Sequence, residues 1–200
     1  MAKRLLGVVV FGWLAVFLSG ECTAQQPRHL LTAADIADLE AYKGKSHSNL
    51  LWSEPAGKSL GRVFADIAGK RGGRYSGNNW SVLQTLEAFL FGPPDEIIGV
   101  QDRFLVGGGC RAHSCDEKAK FIVDTRTGHV AFALLHSFTV DRRYLEGGAA
   151  VTQFMKTCVN PELRAFAAGY LAAWAKKLLA DEHPPQTLVE AESKTLTTRC

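Results

Sequence analysis

Apolar positions in the first half of the chain recur every three or four residues, the period of a helix with one buried face. Ile36, Leu39 and Tyr42 keep this spacing, and Thr32 with Asp35 three residues on has the form of a capping box, so residues 33–43 are expected to be helical. Gly44 to Ser48 is a polar break. Leu60, Val63, Phe64 and Ile67 mark a second helix starting near Ser53, with Pro55 tolerated in its first turn. Gly57 and Gly61 weaken it, and the basic run from Lys70 to Arg74, read as a solvated loop, ends it. Trp80, Leu83, Leu86, Phe89 and Leu90 form the buried side of a third helix, with Asn79 as its expected cap. The run Phe91-Gly92-Pro93-Pro94 stops it, because proline cannot continue the helical hydrogen bonding.

The texture then changes. Ile97–Val100, Arg103–Val106, Ala119–Val123 and His129–Leu135 read as strands, and Thr139–Tyr144 as a fifth. Asp124-Thr125-Arg126-Thr127-Gly128 is a hairpin turn. Short strands with brief connections predict an antiparallel meander rather than βαβ units. After Gly147-Gly148 the spacing of Val151, Phe154 and Met155 predicts a short helix. Asn160-Pro161-Glu162 is a start signal for a longer one, whose face of Leu163, Phe166, Tyr170, Leu171, Trp174 and Leu178 is expected to pack on the sheet. His183-Pro184-Pro185 closes it, and a polar tail runs to Cys200. The expected fold class is therefore α+β, a central antiparallel sheet of about five strands with helices packed on it.

The N-terminus stands apart from this pattern. Lys3 and Arg4 precede an almost wholly apolar run from Leu5 to Leu18, and Cys22-Thr23-Ala24 before Gln25 is an acceptable cleavage site. Residues 1–24 read as a secretory signal peptide and 25–200 as one domain. The apolar run is short for a membrane anchor, and Glu21 before Cys22 does not suit lipoprotein processing. The expected location is periplasmic, with no membrane attachment after cleavage. A hydrophobic fraction of 46% and a charged fraction of 22% are those of a globular protein. The net charge of +3 falls to +2 once two cations and one anion leave with the signal peptide. No basic run resembles a nucleic-acid footprint.

Export makes the four cysteines after the signal segment candidates for two disulfides. Of the three connectivities, Cys110–Cys115 with Cys158–Cys200 is favoured, since the first pair is close in sequence. Gly107-Gly108-Gly109 leads into Cys110-Arg111-Ala112-His113-Ser114-Cys115, with strand-like sequence on both sides. A disulfide-closed loop here would present His113 from the rim of the sheet; an ordinary exposed histidine is the plain alternative. As metal donors Cys110, His113 and Cys115 supply at most three ligands, and no second pair has finger spacing. Cys-x4-Cys is not a Cys-x-x-Cys redox motif, and there is no Ser-His-Asp or phosphate-loop pattern. His129 and His136 lie in strand-like sequence and meet His113 only if the tertiary fold happens to bring them together. No enzyme activity, cofactor or metal site is expected.

The loop resembles that of bacterial inhibitors of vertebrate lysozyme, the Ivy family, which reads Cys-Lys-Pro-His-Asp-Cys. Cysteine spacing and histidine position match; Arg111 keeps a cation, Ala112 replaces proline and Ser114 replaces aspartate. The clearer similarity covers roughly Val100 to Leu135. The resemblance implies a periplasmic α+β protein whose loop, Cys110 to Cys115, enters the active-site cleft of a c-type lysozyme. There His113 would engage the two catalytic carboxyl groups, one of which must be protonated and the other ionised for glycoside hydrolysis. Arg111 would add an ion pair at the cleft wall. It allows a homodimer, although no interface is legible in the sequence. A different class of reading is an exported envelope protein that binds endogenous wall-cleaving enzymes or small ligands.

Overall fold

The computed structural model describes residues 29–46, 55–70, 80–136, 150–182 and 193–200. The expected signal peptide, the strand at residues 139–144 and the break at residues 183–185 lie outside them. The described elements are helices α1 (Ala33–Glu40), α2 (Pro55–Ala68), α3 (Val82–Leu90) and α4 (Pro161–Glu182) and strands β1 (Ile98–Val100), β2 (Phe104–Arg111), β3 (Ser114–Asp124), β4 (Val130–His136), β5 (Ala150–Lys156) and β6 (Ser193–Thr198). The strands form one sheet in sequence order, β1-β2-β3-β4-β5-β6. Every pair is antiparallel except β5 with β6, which run parallel. Bridges from Lys43 to Ile97 and from Ser46 to Glu96 lay a further extended segment along the β1 edge. The expected α+β class holds.

Two apolar layers follow from strand alternation. Leu105, Ala119, Phe121, Val123, Val130, Phe132, Leu134 and Phe154 face α1, α2 and α3. Phe104, Val106, Ile122, Ala131, Ala133, Leu135 and Met155 face α4 through Leu163, Ala167, Leu171 and Ala175. A sheet buried on both sides carries apolar residues at successive positions, which removes the strict polar alternation of a one-sided sheet. Phe132 lies at the centre of the first layer, 5.7 Å from the Phe64 ring and 4.8 Å from that of Phe154. In the second layer Phe104 stacks on Phe166 with ring centroids 4.0 Å apart.

The capping box of α1 forms as expected: the Thr32 hydroxyl accepts from the Asp35 amide at 3.0 Å, and the Asp35 carboxylate accepts from the Thr32 amide at 2.9 Å. Helix α3 begins later than its pattern suggested. Its cap is Ser81, paired reciprocally with Gln84, so Trp80 precedes the helix; Asn79 lies outside the described residues.

One expectation is corrected. The segment around Val151, Phe154 and Met155 is strand β5, not a helix. Phe154 serves one apolar layer and Met155 the other, and a short apolar run buried on both faces has no period that separates strand from helix. The polar tail is also ordered in part, as strand β6. Leu196 pairs opposite Phe154 and packs on the first layer. The Thr198 hydroxyl donates to the Ile67 carbonyl at 3.0 Å, and Cys158–Cys200 ties down the terminus with its Cα atoms 6.1 Å apart.

A carboxylate locks the far end of β3. Asp124 is fully buried and accepts two hydrogen bonds from Arg103, at 3.0 and 2.8 Å. It also accepts from Asn160 Nδ2 at 2.7 Å, the Thr127 hydroxyl at 2.9 Å and the Arg126 amide at 3.1 Å. Burial opposes its ionisation, but the Arg103, Asn160, Thr127 and Arg126 hydrogen bonds outweigh it and lower its pKa to about 2. The Asn160 side-chain oxygen meanwhile accepts from the Leu163 amide at 2.7 Å, so one residue caps α4 and fastens it to the β3–β4 turn.

Candidate functional site: a braced hairpin tip

Strands β2 and β3 extend farther than expected. They run through the glycines and take in most of the expected loop, leaving only Ala112 and His113 between the paired Arg111 and Ser114. Gly107 belongs to the strand because the Phe121 ring occupies the space its Cβ would need. The register then shifts: Cys110 pairs with Lys118, and Cys115, Asp116 and Glu117 bulge out of β3. The Cys110–Cys115 disulfide closes across this bulge, with Cα atoms 4.8 Å apart.

Ala112 and His113 are both exposed at the tip. His113 has φ of 64°, in the left-handed region that few non-glycine residues enter, histidine more readily than most. Among the described residues no hydrogen bond or ion pair holds its ring, consistent with Ser114 standing where a carboxylate would be available to orient it.

Arg111, half-buried, has two contacts within the protein. Its Nη1 donates to Glu117 Oε2 at 2.5 Å, and its guanidinium lies 5.3 Å from the Trp80 ring centroid. The Glu117 side chain is fully buried, and its other oxygen, Oε1, has no hydrogen-bond partner. Arg111 thus has a partner within the protein, with which an ion pair to a target would share its guanidinium. Trp80, half-buried just before α3, lies over the Arg111 guanidinium of this pair.

The turn after α3 forms the floor. Pro93 accepts from the Cys110 amide at 3.1 Å, and Gly108 accepts from the Asp95 amide at 2.8 Å. A Cβ at Gly92 would run into the backbone of Cys110, Arg111 and Ala112. Asp95 also holds Lys120 of β3 at 2.7 Å.

Of the residues expected to act, the structure places Cys110, Arg111, Ala112, His113, Ser114 and Cys115 on one hairpin, and Cys158 with Cys200 on a separate bridge. It does not bring His129 to His113; the two lie at opposite ends of β3. Glu117, Trp80 and Gly92 went unrecognised as parts of the site. A glutamate two residues beyond Cys115 in strand-like sequence was the available signal for the first. No family model matches the chain, and no curated protein or solved structure gives a match.

Proposed function

We propose that the protein is an exported inhibitor of c-type lysozyme or a related wall-cleaving enzyme, with the tip Ala112–His113 as its inserting element. The observation that carries this reading is an exposed imidazole at the apex of a two-residue turn, braced by a disulfide and by the ion pair of Arg111 with buried Glu117. A tip held in one shape loses little freedom on entering a cleft, which favours affinity. An imidazole both donates and accepts hydrogen bonds. Placed between a protonated and an ionised carboxyl group, it would occupy the reacting centre and disturb their proton arrangement.

The resemblance of the Cys110–Cys115 loop to that of the Ivy family supports the same reading, as do the two disulfides, which suit an oxidising compartment. No helix among the described residues is long and apolar enough to cross a membrane. With the Arg111 charge paired to Glu117, recognition rests first on the shape of the tip and on His113.

The test is lysis of bacterial walls by a c-type lysozyme, titrated with the disulfide-intact protein and with His113→Ala. Inhibition saturating at stoichiometric protein, and weakened about tenfold or more by the substitution, is the expected result. Equal inhibition by the two proteins would refute the role of His113. No inhibition by the folded, oxidised protein would refute the choice of target.

A further inference from the structure

The end of the sheet opposite the hairpin gathers three residues with metal-binding chemistry. His29, His129 and Cys158 each place one donor atom within 4.8 Å of the other two. The two imidazole rings face each other at 6.2 Å between centroids and 27° between planes. In sequence they are 100 and 29 residues apart, so no motif announces them.

Each donor is held by the fold. The Leu31 amide donates to the Gly128 carbonyl at 3.0 Å, which fastens the segment carrying His29 over the β3–β4 turn. Gly128 has φ of +72°, and the Leu31 backbone fills the space where its Cβ would stand, so only glycine permits the crossing. Cys158 is set between β5 and the α4 cap Asn160, whose amide is bound to Asp124 and Thr127.

His129 is also oriented. Its Nδ1 lies 3.1 Å from the Thr127 hydroxyl, and that hydroxyl gives its own proton to Asp124 at 2.9 Å. Thr127 can therefore only accept from His129, which puts the ring proton on Nδ1 and leaves Nε2 with its lone pair. A carboxylate acting through a hydroxyl on a histidine is the kind of outer support that metal-binding imidazoles use to fix tautomer and direction.

Sulfur decides when the set is complete. While Cys158 is bridged to Cys200 its sulfur has no anionic lone pair to offer. We propose that His29, His129 and the Cys158 thiolate form a thiol-gated site for Zn²⁺, complete only when the Cys158–Cys200 bridge is open. Nitrogen and sulfur donors suit Zn²⁺, and three protein ligands leave its fourth tetrahedral position to water. Donors on one Zn²⁺ lie about 3.3–3.8 Å apart, so side-chain rotations on the order of 1 Å close the set.

The opening step balances by ordinary thiol–disulfide exchange. A dithiol reductant supplies two electrons and two protons, the S–S bond breaks to two thiols, and the reductant closes to its own disulfide. Cys158 then releases its proton to solvent as the sulfur–zinc bond forms. The fold does not depend on the bridge alone at this point. The β5–β6 ladder, Thr198 on Ile67, and Lys156 Nζ donating to the Arg199 carbonyl at 3.1 Å also hold the terminus. This site stands apart from the inhibitory reading, since the β2–β3 ladder, seven residue steps from Phe104 to Arg111, separates it from the hairpin tip by roughly 23 Å or more.

The experiment measures Zn²⁺ affinity by competition with a chromogenic chelator, with circular dichroism to verify folding. Cys200→Ser leaves Cys158 permanently free and is expected to bind Zn²⁺ about tenfold or more tightly than the oxidised protein, as is the native protein reduced by a dithiol. Adding His129→Ala, or replacing Cys158 as well in Cys158→Ser/Cys200→Ser, is expected to abolish that gain. Equal affinity for Cys200→Ser and Cys158→Ser/Cys200→Ser would overturn the thiolate's role. A gain that survives the loss of both imidazoles, in His29→Ala/His129→Ala/Cys200→Ser, would overturn the site.

Discussion

Replacing Asp124 with asparagine keeps the size of the side chain and removes its charge. The native carboxylate is fully buried, binds Arg103 through two hydrogen bonds, and receives three more from Asn160, Thr127 and Arg126. Glu162 stands 4.0 Å from Arg103, and His129 adjoins the same network. The folded pKa of about 2, against an ordinary 3.8, makes this a depressed carboxylate. Its ionisation therefore stabilises the folded state fully above about pH 4, and that contribution is lost as the pH falls through the folded value. A difference near two pKa units corresponds to about 2 kcal/mol. Asp124→Asn is thus expected to cost about 2 kcal/mol at pH 7, which for a domain of this size lowers Tm by roughly 4–8 °C. Denaturant unfolding of both proteins at a series of pH values from 7 to about 2.5 measures it. The two stabilities should converge toward the acid end as the native carboxylate gains its proton. A difference of the same size at every pH would refute the electrostatic account and leave only a packing or hydrogen-bond geometry effect.

Gly107→Ala pushes a methyl group into the Phe121 ring and is expected to lower stability by about 1–3 kcal/mol, read as a fall in the denaturation midpoint. Phe132→Ala removes the centre of the first apolar layer and is expected to cost about 3–5 kcal/mol on the same measurement. His113→Asn retains a residue type that tolerates the left-handed turn, so its midpoint should stay within about 0.5 kcal/mol of native while wall-lysis inhibition falls as in His113→Ala. Glu117→Ala strips Arg111 of its buried partner; a loss of about 1–3 kcal/mol is expected, with weaker inhibition although the Glu117 side chain is fully buried.

What the sequence disclosed depends on whether the deciding force was local. The Thr32–Asp35 box, the apolar faces of α2 and α3 and the Asn160-Pro161 start of α4 are local features, and all three kinds were legible. So was the Asp124–Gly128 turn. Strand β5 was misread because the sheet is covered on both faces, a tertiary fact that erases the alternation by which a strand is recognised. Strand β6 was missed because its composition is polar; the Cys158–Cys200 bridge that ties it down was legible, but its pairing to β5 is a long-range contact with no local signal. At the hairpin the histidine and its cysteines stood out by spacing. Glu117, Trp80 and Gly92 act through long-range contacts, and the pairing of His29 with His129 depends on the Leu31–Gly128 hydrogen bond, which joins positions far apart in the chain.

The pairing of Arg111 with Glu117 changes what the disulfide has to do. Closing so short a loop contributes only about 2 kcal/mol in the chain-entropy account, and that stabilisation says nothing about where the tip points. Direction comes from other contacts: Gly92 beneath the backbone of Cys110 to Ala112, Pro93 accepting from Cys110, and the ion pair of Arg111 with buried Glu117 under Trp80. An arginine free in solvent would supply long-range attraction to an acidic cleft but would leave the tip loosely aimed. An arginine paired with a buried carboxylate gives up much of that attraction and fixes the two residues beyond it. With a net charge of only +3 on the whole chain, steering by the overall field is weak as well. The design therefore places recognition in the shape of a two-residue turn and one imidazole, and its affinity should depend on how rigidly that turn is presented more than on ionic strength.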